Sequence, residues 1–468
     1  MLDSNRRGCA AITGSSTPPL PSCPSQLIPG GFLRSSKLVV LSLAAVVVLV
    51  GCSEPIRHGS SADSTSTTVS RAVSDCDSAP SIVACAPDNS MLAPYMPAKA
   101  TRATGSPILI GAINQDTGAA GAFPELTEAD KVAGDFINTE LNGIDGHPLE
   151  LITCDTAFNP DLSQRCAQEM ASKKVAAVIG GIDVWGTGIT TLENDGIPYV
   201  GGIPVSFEAA RSKASFQFSG GLWGAVLGMG TYAIDKLDAK RITMIYGDFG
   251  PIKDAAQHGK EILEKQGAVV TLIPVAAVNA DMVTALNQTA QTDPDVVIAL
   301  TADSGCKPTM LTAHQIGLDV PIMYTGACAA PKIIDAVGNA AEGSIFNLEA
   351  ELDPKNPDNA LYQAIVKRYG AKYGYEALSA GTVSFRAVIN LYTVLRDLGA
   401  SKATPAAILS AFRKGSDHPS FFGHAYTCDG RQLPGYRAMC APQQSLGVLK
   451  NGAVVPLTGW IDVGSSAG

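Results

Sequence analysis

Short apolar runs alternate with helical patterns along the chain from residue 107 onward. Residues 107–113 form the first run, and residues 126–141 follow with apolar side chains at helical spacing until Asn142-Gly143 ends the pattern. Strand and helix signals then alternate through residues 149–200. Alternation of this kind is typical of parallel sheets that are covered by helices on both faces. The sequence therefore predicts an α/β fold.

The same rhythm restarts with a predicted helix at residues 222–237 and a strand at residues 241–246, and it continues to residue 325. The region that carries both units has about 360 residues, which is more than one hydrophobic core usually serves. We therefore predict two doubly wound parallel-sheet lobes. Later turn signals, including Asn451-Gly452, indicate hairpins near the C-terminus.

An apolar run at residues 38–50 follows Arg34 and Lys37. It is too short for a membrane span, which needs about 20 apolar residues, and a charged flank before a short apolar core is typical of a secretory signal. Residues 49–52, Leu-Val-Gly-Cys, resemble a bacterial lipobox in which Cys52 receives a lipid. The alternatives are an ordinary signal peptide or an anchor helix with a chance cysteine.

The lipobox interpretation makes residues 1–51 a leader and signal peptide and places the protein on the outer face of a bacterial cytoplasmic membrane. Residues 52–105 are rich in Ser, Thr, Ala, Asp and Pro. A segment of this composition buries too little apolar surface to offset its ordering entropy. We therefore predict that residues 52–105 form a lipidated flexible tether.

Eleven cysteines fit an exported protein. Two lie in the leader, one is the proposed lipid site, and the other eight form near neighbours in sequence, which favours disulfides in an oxidising compartment. Spacing does not fix connectivity, but sequential pairing is the preferred prediction. No Cys-x-x-Cys occurs and the six histidines are scattered, so we expect no metal site. The predicted pairs are Cys76–Cys85, Cys154–Cys166, Cys306–Cys328 and Cys428–Cys440.

A series of motifs, taken in order, resembles the type I periplasmic binding proteins, and within them the branched-chain amino acid (Leu/Ile/Val) branch that serves ABC importers. The likeness runs from about residue 107 to residue 463. Its motifs are Ile108-Leu109-Ile110-Gly111-Ala112 with Thr117-Gly118, Asn142-Gly143-Ile144-Asp145-Gly146, Asp195-Gly196-Ile197-Pro198, His314-Gln315-Ile316-Gly317-Leu318 and Ala340-Ala341-Glu342-Gly343.

The resemblance implies two lobes joined by three hinge crossings, with a ligand cleft between the lobes. By that pattern the crossings lie near residues 220–222, 344–348 and 423–427. Lobe one then comprises residues 106–221 and 348–424, and lobe two residues 222–347 and 425–465. The implied partners are a small-molecule ligand, such as an amino acid, an amide or a related solute, and the permease and ATPase subunits of an ABC importer on other chains.

The family binds the α-carboxylate of an amino acid at a helix start, where unpaired N–H groups and the helix dipole favour an anion. The matching segment is residues 183–187. Thr187 would supply a hydroxyl there, and Val205 and Ser206 would supply N–H groups. A buried ammonium needs a carboxylate, for which Asp303 is the first candidate and Asp183 the second, although Asp303 fits a helix N-cap equally well.

Loops that follow predicted strands supply the remaining candidates. For the aromatic residues among them, a core position is the alternative. The full predicted ligand-binding set is Gln115, Thr117, Phe123, Asp183, Val184, Trp185, Thr187, Ile203, Val205, Ser206, Trp223, Asp248, Phe249, Asp303, Ser304 and Thr325.

Several function classes are excluded or disfavoured by the sequence. A net charge of −9 without a basic stripe argues against nucleic acid. No P-loop and no His-Glu-x-x-His occur, and the one Gly-x-Ser-x-Gly, at residues 464–468, has no helix after it. We therefore predict a binding protein that is not an enzyme and needs no cofactor. A ligand sensor of the same fold, uncoupled from transport, is the alternative function.

Overall fold

The computed structural model describes residues 76, 78–301 and 303–464, with the side chain of Asp303 left out. Five parallel strands form a first sheet in the order β2-β1-β3-β4-β5. They are β1 (Ile108–Asn114), β2 (Leu149–Asp155), β3 (Ala177–Gly180), β4 (Tyr199–Val200) and β5 (Ser215–Phe216).

Seven strands form a second sheet in the order β12-β11-β10-β9-β8-β6-β7, in which β11 runs antiparallel to both of its neighbours. Asn451 and Gly452, with φ of 53° and 75°, make the tight turn between the last two strands, as the sequence predicts. The strands are β6 (Arg241–Gly247), β7 (Val269–Val275), β8 (Val296–Leu300), β9 (Ile322–Tyr324), β10 (Ile345–Asn347), β11 (Leu446–Lys450) and β12 (Ala453–Pro456).

Twelve α-helices cover these sheets in the described part of the chain. The helices are α1 (Pro124–Glu140), α2 (Pro160–Ser172), α3 (Thr187–Asn194), α4 (Phe207–Arg211), α5 (Gly221–Leu237), α6 (Gly250–Lys265), α7 (Met282–Gln291), α8 (Asp303–Ile316), α9 (Pro331–Val337), α10 (Pro357–Tyr369), α11 (Gly381–Leu398) and α12 (Pro405–Phe412). None of the described helices is long and apolar enough to cross a membrane.

The alternation of strands and helices confirms the predicted α/β fold with two sheets. Helix starts follow local rules: Asn159, before α2, accepts hydrogen bonds from the N–H groups of Asp161 and Leu162, and Pro160 fills the first position. Helix α11 lies almost wholly buried between α1 and the first sheet, so α10 to α12 return the chain to the first sheet after β10.

The chain passes between the two sheets three times: after β5, after β10 and before β11. The third passage lies later than the predicted residues 423–427. Phe421 and Tyr426 still belong to the first sheet's core, and Leu433 and Met439 belong to the second sheet's core. The reason is that aromatic side chains hold residues 421–426 against α11 and α12. The proposed lobe boundaries otherwise stay predictions.

The prediction of a flexible tether is wrong for residues 78–105. Ile82 and Leu92 are fully buried in the first sheet's core cluster. The hydroxyl of Ser90 donates to Asp358 Oδ1 at 2.6 Å, and the N–H of Val83 donates to Glu140 Oε2 at 2.9 Å. The composition argument fails because these apolar side chains join an existing core and need not build their own. Residues 1–75, which include the proposed lipobox at residues 49–52 and the first part of the tether, lie outside the described residues.

All four predicted disulfides are present: Cys76–Cys85, Cys154–Cys166, Cys306–Cys328 and Cys428–Cys440. The last one closes a loop whose base lies in the first core and whose tip lies in the second. No cluster of His, Cys, Asp or Glu in the described residues could hold a metal ion.

Candidate ligand-binding cleft

A cavity of about 400 Å³ lies between the two sheets. Its walls include the loops after β1 to β4 of the first sheet and after β6 to β9 of the second. Loops at the carboxyl ends of parallel strands are where ligands of open α/β sheets bind, and cavities between lobes are favoured pockets. The fold thus positions one candidate site, which we call the cleft.

The cleft is lined mainly by apolar side chains, and among its described lining residues none is Lys, Arg or His. Glu349 is the one charged residue among the described residues of the lining. The polar lining residues are Asn279, Thr301, Ser304, Thr325, Asn347, Glu349, Ser379 and Thr382. A ligand enclosed here would exchange water mostly for apolar contact, which stabilises by about 25 cal/mol per Å² of apolar surface.

Three aromatic rings connect the two sides beside the cleft. Phe249, which follows β6, lies 5.0 Å from Trp185 and 5.9 Å from Phe158 between ring centroids. The indole N–H of Trp185 donates to the Phe158 carbonyl at 3.0 Å. Trp185 lies beside the lining rather than in it. Phe158 lines the cleft but is absent from the predicted set, although it follows a strand as the other candidates do.

Seven of the predicted residues line the cleft. They are Phe123, Val184, Ile203, Val205, Phe249, Ser304 and Thr325. Most are apolar, which fits the character of the cavity, and the Thr325 hydroxyl already donates to the Thr301 carbonyl at 3.2 Å. Their contact with a ligand stays a prediction. The structure gives no side-chain position for Asp303, which is the first described residue of α8.

Two polar side chains of the segment at residues 183–187 stabilise local structure. Asp183 is buried, and its Oδ2 accepts a hydrogen bond from the Ser163 hydroxyl at 2.6 Å. Burial raises the pKa of the Asp183 carboxyl. The Thr187 hydroxyl donates to the Pro160 carbonyl at 2.6 Å. Neither residue lines the cleft, because the Asp183 side chain ties the loop before α3 to α2 and the Thr187 side chain ties α3 to α2. Their role in ligand binding stays a prediction.

Other predicted polar residues also stabilise local structure instead of lining the cleft. Ser206 caps α4 by accepting from the Ala209 N–H, and buried Gln115 donates to the Gly121 carbonyl at 2.8 Å. The Thr117 hydroxyl donates to Asp155 at 2.6 Å. Exposed Asp248 pairs with Lys253 at 3.0 Å. Loop position alone could not show these partners.

Trp223, another residue of the predicted ligand-binding set, lies in the core instead of the cleft. It is fully buried in the second sheet's core, where its indole N–H donates to Asp254 Oδ2 at 2.9 Å and its ring lies 4.7 Å from Tyr436. The core alternative for this aromatic residue is therefore right.

The base of the cleft meets the hinge through Glu349, whose Oε1 accepts from the Gly220 N–H at 2.8 Å. Burial raises the pKa of the Glu349 carboxyl. Behind it lies Arg386, which is also buried and donates to the carbonyls of Glu349 and Phe218. These contacts join residues from two of the three passages between the sheets.

Comparison with known proteins shows the family to which this architecture belongs. The family model described as periplasmic binding protein matches residues 107–439. The chain belongs to this family. The match confirms the resemblance that the sequence motifs indicate, and with it a two-sheet fold of the type I periplasmic binding proteins. No curated protein matches the sequence significantly.

Solved structures of this family share the fold at low sequence identity. A leucine-binding protein LivK from Thermotoga maritima is 19% identical, with a TM-score of 0.61 over 75% of this chain and 98% of that one. A solute-binding protein of an ABC transporter from Rhodopseudomonas palustris, in complex with 3,4-dihydroxybenzoic acid, is 20% identical, with a TM-score of 0.63 over 76% and 97%. The branched-chain amino acid binding protein LivJ from Streptococcus pneumoniae, in complex with isoleucine, is 18% identical, with a TM-score of 0.60 over 75% and 98%.

The family and the fold are those of binding proteins that act outside the cytoplasm. Two of these neighbours hold quite different small molecules in the same fold, so the fold alone does not select the ligand.

Proposed function

We propose that this protein is a membrane-tethered solute-binding protein of an ABC importer, which captures a small molecule in the cleft and closes around it. The observation that carries the proposal is the cavity itself, which takes its lining from the strand ends of both sheets. A ligand that touches both sides only in a closed form favours closure by shifting the population of states.

The neighbouring structures support a small-molecule ligand, since they include a protein named for leucine, one that holds isoleucine and one that holds an aromatic acid. This cleft differs from a site made for a zwitterion, because its described lining residues include no cationic side chain and the carboxylate of Glu349 is held by the hinge. We therefore propose a neutral or weakly polar solute and treat leucine, isoleucine and valine as the competing class.

A thermal-shift panel on the purified full-length protein tests solute binding. The panel contains the three branched-chain amino acids, neutral amides and small phenols. A solute that binds only the folded state adds RT ln(1 + [L]/Kd), about 2.7 kcal/mol at a hundredfold excess over Kd, so a binder raises the melting temperature. No shift with any class would contradict the proposed function.

A matched pair of variants locates the binding. Val184→Asp places a charge in the cleft lining, whereas Val269→Asp makes the same change on a strand where the side chain is 63% exposed. We expect the first variant to lose the thermal shift and the second to retain it. Loss in both would mean that the shift does not report on the cleft.

Tethering and transport need separate tests. Cys52→Ala should abolish incorporation of labelled palmitate in cells, and incorporation that persists would remove the proposed anchor. Deletion of the gene should reduce uptake of the bound solute. Normal uptake together with a lost transcriptional response would favour the sensor over the importer component.

A further inference from the structure

The volume of the cleft bears on the size of the ligand that fits it. At about 400 Å³, the cavity falls within the range of about 300–1,000 Å³ that is typical of pockets for drug-sized molecules. A cavity of about 150 Å³ with apolar walls encloses one benzene molecule. At the same ratio of volume to ligand atoms, this cleft holds about 16 non-hydrogen atoms, whereas leucine has about half that number.

This volume belongs to a cleft whose two sides already touch each other. The Phe249 ring, on the second sheet's side, contacts the rings of Trp185 and Phe158 on the first sheet's side. Ala327, which follows β9, packs against the apolar cluster that contains Phe123. Because the two sides are in van der Waals contact at these points, further closure can remove little of the volume. The cavity therefore represents the closed form of the cleft.

Small side chains explain why the closed cleft keeps this volume. The loops that follow β7 and β9 line the cavity with alanine and glycine, and none of these residues extends beyond a methyl group. The lining residues of this kind are Ala276, Ala277, Ala280, Gly326, Ala327 and Ala329. The second sheet's side of the cleft thus leaves space that a ligand has to fill.

We propose that the cleft binds a neutral, apolar ligand of about 12–18 non-hydrogen atoms, which is larger than any branched-chain amino acid. The inference rests on the proposed function and gives the size class of its solute. The described lining residues supply no cation for a ligand anion, and the Gly220 N–H already donates to the Glu349 carboxylate. Apolar contact must therefore supply most of the affinity, and a ligand that leaves half of the cavity empty loses much of that contact.

A homologous series of neutral probes tests the size class. The 4-alkylphenols run from 4-ethylphenol, which has as many non-hydrogen atoms as leucine, to 4-dodecylphenol, and they differ only in chain length. Calorimetric titration of the purified full-length protein should show the affinity rising about fourfold for each added methylene group, since more apolar surface enters the cleft. The rise should continue to about 4-octylphenol and then stop, because the cavity is full at that size.

A matched pair of variants tests whether the cleft sets this limit. Ala277→Leu adds three carbons at a half-buried lining residue, whereas Ala290→Leu makes the same change at an exposed residue of α7. We expect the first variant to stop gaining affinity about three carbons earlier, near 4-pentylphenol, and the second to keep the limit of the unaltered protein. If Ala277→Leu does not fold, Ala119→Leu, at an exposed residue of the lining, takes its place.

The outcomes separate the size class from solute binding itself. An affinity that stops rising at 4-ethylphenol overturns the size class but leaves solute binding intact. A rise that continues without a break to 4-dodecylphenol, or the same limit in both variants, overturns the cleft as the enclosure that sets ligand size. Binding of no phenol in the series overturns the proposed ligand, and the proposed function then stands or falls on the thermal-shift panel.

Discussion

The cleft wall and the hinge behind it have opposite chemistry. The wall, represented by Phe123, Val184, Ile203, Val205 and Phe249, is apolar, whereas the hinge network of Asn347, Glu349, Arg386 and Gln444 is polar and buried. In the wall, polar loop residues turn away and stabilise the fold. In the hinge, each of these four side chains forms at least one hydrogen bond to another residue. We therefore expect the apolar wall to supply most of the affinity for a ligand and the hinge network to set the relative position of the two sheets.

We expect the largest change in the free energy of unfolding from a substitution in the hinge. Arg386→Met removes the donors to the carbonyls of Phe218 and Glu349 and leaves the Glu349 carboxylate without its buried cation. Burial lowers the pKa of Arg386 to about 10, so the side chain is charged at neutral pH. Each buried carbonyl group that loses its donor costs about 1–3 kcal/mol of unfolding free energy, which urea titration measures. The control Arg165→Met, at an exposed site, should stay within about 0.5 kcal/mol. Equal stability of both variants would show that the hinge does not depend on this arginine.

A second prediction concerns how the free energy of unfolding depends on pH through a residue outside the cleft. Asp130 is buried in α1, and burial raises the pKa of its carboxyl from 3.8 to about 8. The folded state therefore holds a proton that the unfolded state has lost between these values. Stability should fall as pH rises through this window, by up to about 1.4 kcal/mol per pH unit. Unfolding free energies at pH 5 and pH 8 measure the slope.

Asp130→Asn should flatten this pH dependence, because the variant has no proton to release. Asp183 and Glu349, whose pKa values burial also raises, leave a residual slope of the same sign. The matched change Asp195→Asn, at an exposed residue, should leave the slope as it is. A slope that is identical in all three proteins would mean that Asp130 is not protonated in the folded state.

The smallest expected effect is a loss of ligand affinity when an aromatic residue of the cleft wall is removed. Phe249→Ala removes the ring that reaches Trp185 and Phe158 from the other side of the cleft. We expect affinity for an apolar solute to fall about tenfold, since an aromatic pair adds about 0.5–1.5 kcal/mol beyond its buried area. Stability should change little because Phe249 is only half-buried. Calorimetric titration checks the affinity, with Val269→Ala as the control, and unchanged affinity would remove Phe249 from the binding surface.

The sequence predicts the architecture better than the site. Strand and helix periodicity, the motif order and the neighbouring cysteines indicate the two sheets and all four disulfides, because these signals are local or follow chain order. The segment at residues 78–105 could not be predicted in this way. Its burial depends on Glu140 and Asp358, which lie far away in sequence and accept its hydrogen bonds.

Site prediction fails where a side chain has a tertiary partner. Thr187 and Asp183 follow a strand as expected, but Pro160 and Ser163 occupy their polar atoms. Asn347 escapes notice because it lies within a strand and not in a loop after one. The apolar loop residues are placed on the cleft more successfully, since they have no such competing partners.

The most direct test of the account compares leucine with 4-methylpentanamide in calorimetric titrations of the same protein. Both carry the branched apolar chain, but the amide is neutral and leucine brings an ammonium and a carboxylate. The apolar wall predicts that the amide binds at least about tenfold more tightly and with a negative heat-capacity change. Tighter binding of leucine would contradict the account and would mean that the cleft supplies partners for both charges.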